Sequence, residues 1–284
     1  MKSAFVYAIG LVLLMSSCIK RVDTALPYEG NKLVINSLIQ PDSVIYIRIN
    51  RSVATSIYDE AIFGAMVNAD VVLEEDGKAL PTPQIRQIKG QHYFVSAEKA
   101  VLGKQYTIRA SAAGMQPVAG TDTLPVGPQA GMPGAQRNSN RVRFTLSDDV
   151  RGNNFYRVRV FACGPDMKPD TLRLFRLDPT FNNNLIEFFT GSSYSSLIMS
   201  DERFNGKTVT FVLQTDDPIV HTSYMMVEVS TLTYNSYKYL RTIASQITTG
   251  NSIIIEPVRV FTNITNGYGI VGGINTQRMT FKVE

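Results

Sequence analysis

The 284-residue chain has no tryptophan, two cysteines and two histidines. They stand far apart, at Cys18, His92, Cys163 and His221, which excludes a zinc finger, and two thiols are too few for an iron–sulfur cluster built from this chain alone. Charged residues make up only 18%, the formal charge is +4, and no block of lysine and arginine occurs. A nucleic-acid partner would leave a denser basic footprint. The N-terminal apolar run, Ala4 to Met15, reaches roughly 18 Å as a helix, short of a hydrocarbon core of about 30 Å. The motifs G-x-S-x-G and H-E-x-x-H are absent, and no acidic run has calcium-loop spacing. No metal, no cofactor and no catalytic residue is therefore expected. What is present is apolar: 44% hydrophobic residues, including 13 Tyr and 14 Phe, enough to build real cores in a chain long enough for two domains. Tyr, Thr, Val and Ile dominate the apolar stretches, which favours strands.

The first segment reads as a targeting signal. Lys2 precedes the short apolar run, and Ser16, Ser17 and Cys18 follow it. This order fits a secretory signal rather than a membrane span. The run Leu14-Met15-Ser16-Ser17-Cys18 resembles a bacterial lipobox, which implies removal of residues 1–17 and lipidation of Cys18. Two or three acyl chains anchor a folded body stably. An ordinary secretory cleavage site nearby is the alternative. With Cys18 acylated, Cys163 has no cysteine partner in the chain. It ends an apolar run, Phe161-Ala162-Cys163, and reads as a buried small hydrophobe. A nucleophile would need a base, and His92 and His221 lie in unrelated segments.

Residues 18–31 read as a polar tether. Strand alternation begins beyond it. Ile45, Ile47 and Ile49 share one face, Tyr46, Arg48 and Asn50 the other. Ala69 to Leu73, a hairpin turning at Lys89-Gly90, and the run Tyr106, Ile108, Ala110 continue the pattern. Residues 32–124 are thus expected to form an N-terminal β-sandwich. Between 125 and 138, Pro125, Gly127, Pro128, Gly131, Pro133 and Gly134 crowd together, and a linker between domains is expected there. Strands resume in 139–284, through Val142-Phe144-Leu146, Tyr156-Val158-Val160, Val209-Phe211-Leu213 and Met225–Leu232. One segment has helical period: Tyr237, Leu240, Ile243, Ala244 and Ile247, closed by Gly250. The expected fold is mainly β, with two sandwich-like domains, the second larger and carrying one packed helix.

Few constellations suggest chemistry. Gly267-Tyr268-Gly269-Ile270-Val271-Gly272 is a literal G-x-G-x-x-G. A dinucleotide site needs that loop to open a helix, and too little chain follows for the rest of a β-α-β unit. A glycine-rich turn with close backbone approach is expected instead. The acidic groups Glu74-Glu75-Asp76, Asp148-Asp149, Asp201-Glu202 and Asp216-Asp217 border strands, where carboxylates cap turns. Aromatics offer a candidate binding surface: Tyr234, Tyr237 and Tyr239 near the helix start, with Phe188, Phe189 and Tyr194 in a Ser/Gly-rich loop. The competing, plainer reading makes them core anchors for helix and sheet.

Several motifs together resemble a family of uncharacterised Bacteroidota outer-membrane lipoproteins, often encoded beside TonB-dependent receptors. They are Cys18, Gly64-Ala65-Met66-Val67 before Val71–Leu73, Gly103-Lys104-Gln105-Tyr106, Phe204-Asn205-Gly206-Lys207 after Asp201-Glu202, Tyr237-Lys238-Tyr239-Leu240, Pro257, and Asn263 through Gly272. Val271 stands where the family usually has an aromatic residue. The resemblance implies two β-domains, the first similar to immunoglobulin-like or transthyretin-like modules, and carries no catalytic residues.

The expected function is a non-enzymatic, lipid-anchored envelope protein, an accessory or ligand-binding partner of a TonB-dependent receptor. The alternatives are an envelope hydrolase with a site at the domain junction, and an adhesin or surface-structure subunit. The tether start, Ile19-Lys20-Arg21-Val22-Asp23, lacks the acidic export cue of surface lipoproteins in that phylum. The periplasmic leaflet of the outer membrane is therefore favoured over the cell surface.

Overall fold

The structure, a computed structural model, describes residues 28, 30–54, 64–181, 193–249 and 259–284, with helix side chains described through Ser245. The class is mainly β, as the alternation predicts. The first half contains β1 (Leu33–Ile39), β2 (Val44–Arg51), β3 (Asp70–Glu75), β4 (Lys78–Ala79), β5 (Gln84–Ile88), β6 (Gln91–Lys99), β7 (Gln105–Ser111) and β8 (Val118–Thr123). Then come β9 (Gln129–Ala135), β10 (Arg141–Ser147), β11 (Phe155–Cys163), β12 (Pro169–Arg173), β13 (Phe175–Leu177), β14 (Leu197–Ser200), β15 (Thr208–Thr215) and β16 (Tyr224–Leu232). The helix α1 (Tyr234–Thr249) and the long strand β17 (Tyr268–Lys282) complete the described elements.

Local sequence explains the hairpins. Lys89 and Gly90 both have positive φ, at 48° and 77°, and join β5 to β6. That pair of angles matches the twist of the strands it connects. Asp76-Gly77 does the same between β3 and β4. In β2 the odd isoleucines are buried while Tyr46 is exposed, as period 2 requires.

Three sheets make the body. One has nine strands in the order β12-β11-β16-β17-β1-β2-β6-β5, with β14 also on β11. Two four-stranded sheets, β4-β3-β7-β8 and β13-β15-β10-β9, complete two sandwiches with it. Leu33, Ile35, Ile45 and Ile47 meet Leu73, Tyr106 and Ile108 in one core. Val158, Val160, Val227 and Val229 meet Phe144, Phe211 and Leu213 in the other.

Strand β17 joins the two. Tyr268–Gly273 pair parallel with Val34–Ile39 of β1. Ile274–Lys282 then pair antiparallel with Leu232–Tyr224 of β16. Because side chains alternate, Val271 enters the first core and Met279 the second. The division at 125–138 therefore differs from expectation in two ways. Half of the stretch, Gln129–Ala135, is strand β9, paired with β10, and the irregular segments are the short ones on either side of it, 124–128 and 136–140. Proline and glycine signalled a linker, yet β9 is an edge strand, where Pro133 removes no ladder bond that the sheet needs. Ile264 and Val271, assigned by sequence to the second unit, belong to the first core.

The glycine motif leaves its turn at Gly267 and is strand from Tyr268 onward, with the close backbone approach expected of it. Gly269 has φ +100°, and a side chain there would run into the Ile35 carbonyl. Glycine is what lets β17 lie against β1 at that point. Asn263 secures the motif by donating to the Val271 carbonyl at 2.7 Å and accepting its N–H at 3.1 Å.

Candidate functional site

Helix α1 starts where the two sandwiches meet. Thr233 caps it, its hydroxyl oxygen accepting the Ser236 N–H at 3.2 Å. The same hydroxyl donates to Asp122 on β8 at 2.5 Å, and Asp122 also accepts the Gly273 N–H at 3.0 Å. The Ser236 hydroxyl donates to the Gly273 carbonyl at 2.9 Å. Residue 273 is where β17 passes from one partner strand to the other, so this hub ties both sandwiches to the helix. Burial pushes the Asp122 carboxyl above its ordinary value, against the pull of its Thr233 and Gly273 donors.

From this anchor α1 lies on the outer face of the nine-stranded sheet. Tyr237 stacks on Phe155 with ring centroids 4.4 Å apart and closes a small cluster with Leu232 and Ile274. Arg241, one turn later, donates to the Tyr237 hydroxyl and lies over its ring. Tyr239 donates to Asn36 of β1 at 2.8 Å, carrying the helix across to the first sandwich.

Beside Tyr237 and Arg241 the outer edge at β14 opens into a cavity of about 200 Å³. Its floor includes Leu177, Phe204 and Phe211, and its rim Glu202, Arg203 and Arg241. The turn at 201–206 builds this wall. Asp201, buried, accepts the Asn154 N–H at 2.8 Å, and the Phe204 N–H reaches back to the Asp201 carbonyl at 2.7 Å. Gly206, with φ +70°, donates to Asp148 at 2.8 Å. The turn drives Phe204 into the core. An apolar floor with a rim carrying two cations and one carboxylate suits a small molecule with an apolar body and a polar or anionic end.

The structure sorts the sequence candidates. Tyr237 lines the cavity but is buried as an anchor, Tyr239 is half-buried, and Tyr234 is exposed. Tyr194 forms a backbone bridge to Phe175 of β13, on the layer opposite the helix. It therefore does not join the helix tyrosines in one aromatic patch. Cys18, Phe188 and Phe189 lie outside the described residues. Cys163 is buried and its thiol is raised by that burial. His92, on β6, and His221, before β16, are both exposed and in different sandwiches. The acidic pairs have local partners: Glu75 with the Tyr106 hydroxyl, Asp76 with Lys104, Asp148 with the Tyr156 hydroxyl, Asp149 with Arg151, Asp217 with Arg173. Arg241 and Phe204 were missed by sequence reasoning. The available signal was the i, i+4 spacing of Tyr237 and Arg241, which places both on one helix face.

A family model described as a domain of unknown function, DUF4249, matches residues 19–280. No curated protein matches the chain.

Proposed function

We propose, for a chain that belongs to the DUF4249 family, that it is a non-enzymatic lipoprotein of a Bacteroidota-type outer membrane. In this reading it serves as an accessory or ligand-binding partner of a TonB-dependent receptor and faces the periplasm. The observation that carries the reading is Leu14-Met15-Ser16-Ser17-Cys18 behind a short apolar run. A tether from Cys18 to the start of β1 extends up to about 50 Å at 3.3–3.6 Å per residue, enough for the folded body to stand off a membrane. No helix among the described residues is long and apolar enough to cross one.

Two features support a binding role over a hydrolase at the junction. Asp122, the carboxylate there, has its oxygens engaged by Thr233, Gly273 and Thr123. The cavity at Tyr237 and Arg241 offers a site for an apolar or anionic group. The test is membrane fractionation of wild type and Cys18→Ala, followed by protease treatment of intact cells and cross-linking. The expected result is a membrane-bound, acylated wild type protected until lysis and cross-linked to an outer-membrane receptor, with Cys18→Ala released. A Cys18→Ala protein that stays with the membrane unchanged would overturn the lipid anchor.

A further inference from the structure

The outer face of the nine-stranded sheet carries a second feature next to the Tyr237 cavity, where Arg157 pairs with Ile198 of its lining. Its side chains form cross-strand rows over β11, β16 and β17. Phe155, Leu232 and Ile274 make the apolar row under α1. The next two rows are Arg157, Ser230, Thr276 and Arg159, Glu228, Arg278. Glu228 is 2% exposed. Arg159 donates to its Oε1 at 2.8 Å through Nε and again through a terminal nitrogen, and Arg278 donates to Oε2 at 3.0 Å. The pair Ser230 and Thr276 are hydrogen-bonded to each other at 2.9 Å.

Arg157 is held more loosely. Its guanidinium is 3.6 Å from Glu228 and 3.5 Å from the Ser230 hydroxyl, its side chain is 13% exposed, and its buried Nε has no acceptor. Burial, then the like charge of Arg159, pull it down to about 10, so it stays cationic at neutral pH. Three guanidinium charges thus face one carboxylate. A structural bridge needs one arginine, and a buried cation that shares its carboxylate with two closer arginines carries a desolvation cost that a 3.6 Å ion pair offsets poorly. The adjacent row shows that this sheet face accommodates apolar side chains. A charge kept in place against stability marks a functional site.

We infer that the Arg157–Arg159–Arg278 cluster, held in place by Glu228, is a binding site for a phosphomonoester. The excess charge of three cations over one anion matches a phosphomonoester of about −1.5 to −2 near pH 7; a carboxylate would leave one cation unpaired. Glu228 fixes the planes of Arg159 and Arg278, binding Arg278 through Nε and leaving its terminal nitrogens without an acceptor among the described residues. Arg278, at 60% side-chain exposure, opens the cluster to solvent. Guanidinium groups suit phosphate oxygens because their paired N–H groups match the oxygen spacing. The phosphate could be soluble or the headgroup of a lipid.

The test uses the full chain in detergent, titrated calorimetrically with glycerol phosphate, with acetate and sodium chloride as controls at matched ionic strength. Saturable binding of glycerol phosphate is expected, weakening below pH 6 as the ligand loses its second charge. Arg157→Met and Arg278→Met are each expected to weaken it on the order of 10- to 100-fold, as loss of a charge-assisted hydrogen bond does. Arg157→Met should melt at or above the wild-type temperature, since it removes a buried, loosely held charge and leaves Glu228 bonded to Arg159 and Arg278. Short-chain phosphatidic acid, kept monomeric, distinguishes the sources: binding more than tenfold tighter than glycerol phosphate assigns a lipid headgroup, and equal binding a soluble phosphomonoester. No saturable binding beyond the salt control, or binding unchanged in both variants, overturns the site.

Discussion

Replacing Val271 by alanine tests the shared strand directly. Val271 is fully buried and packs in the first core, although it lies 13 residues from the C-terminus. The substitution removes two methyl groups, worth about 0.8 kcal/mol each by transfer, and leaves a cavity that brings the loss to about 2 kcal/mol. If the sandwiches melt as one body of more than 200 residues, 1 kcal/mol moves the midpoint by about 2–4 °C, so the shift is about 4–8 °C in a single transition. If they were separate domains of about 100 residues, the same loss would move one of two transitions by about 8–16 °C and leave the other alone. Val158→Ala, in the second core, is the companion. Scanning calorimetry reads both, and both are expected to lower the same single transition. Two transitions, each responding to only one substitution, would refute the argument that β17 unites the body.

Gly269→Ala should destabilise by at least about 2 kcal/mol, because positive φ disfavours alanine and the added carbon meets the Ile35 carbonyl; chemical denaturation measures it, and a neutral effect would contradict the close β1–β17 approach. Asp122 carries a pH signature. Its folded value is raised above 3.8 by burial, so the native state holds the proton more tightly and stability falls as pH rises from about 3.8 through the raised value, then levels. Urea titrations of wild type and Asp122→Asn across that window should show the wild type losing stability relative to the variant as pH rises. The opposite slope would show that the hydrogen bonds from Thr233 and Gly273 outweigh the burial.

Much of the fold was legible because strand alternation is a local signal. Ile45, Ile47 and Ile49 announce a half-buried strand from their spacing alone, and Lys89-Gly90 announces its turn from the angles glycine permits. The helix at Tyr237–Ala244 was equally plain from its period. The linker was misjudged because Pro133 and the glycines around it report only local backbone preference. Whether such a segment pairs depends on β10 being alongside, and that is a long-range fact.

The sequence alone determined the β class, the helix after Leu232, the short N-terminal apolar run before Cys18, and the poverty of metal-ligating residues, since each follows from composition or from contacts within a few positions. Tertiary structure alone decided that β17 serves two cores, that Tyr237 and Arg241 meet the 201–206 turn at one cavity, and that Arg157, Arg159 and Arg278 surround Glu228. In the sequence these arginines and Glu228 appear only as charges interrupting apolar strands. Their meeting depends on strand register, which pairs Arg159 with Glu228 across 69 residues and Glu228 with Arg278 across 50. Local alternation fixes only which face each side chain takes; which residues meet across strands this far apart is set by the packing of both cores together.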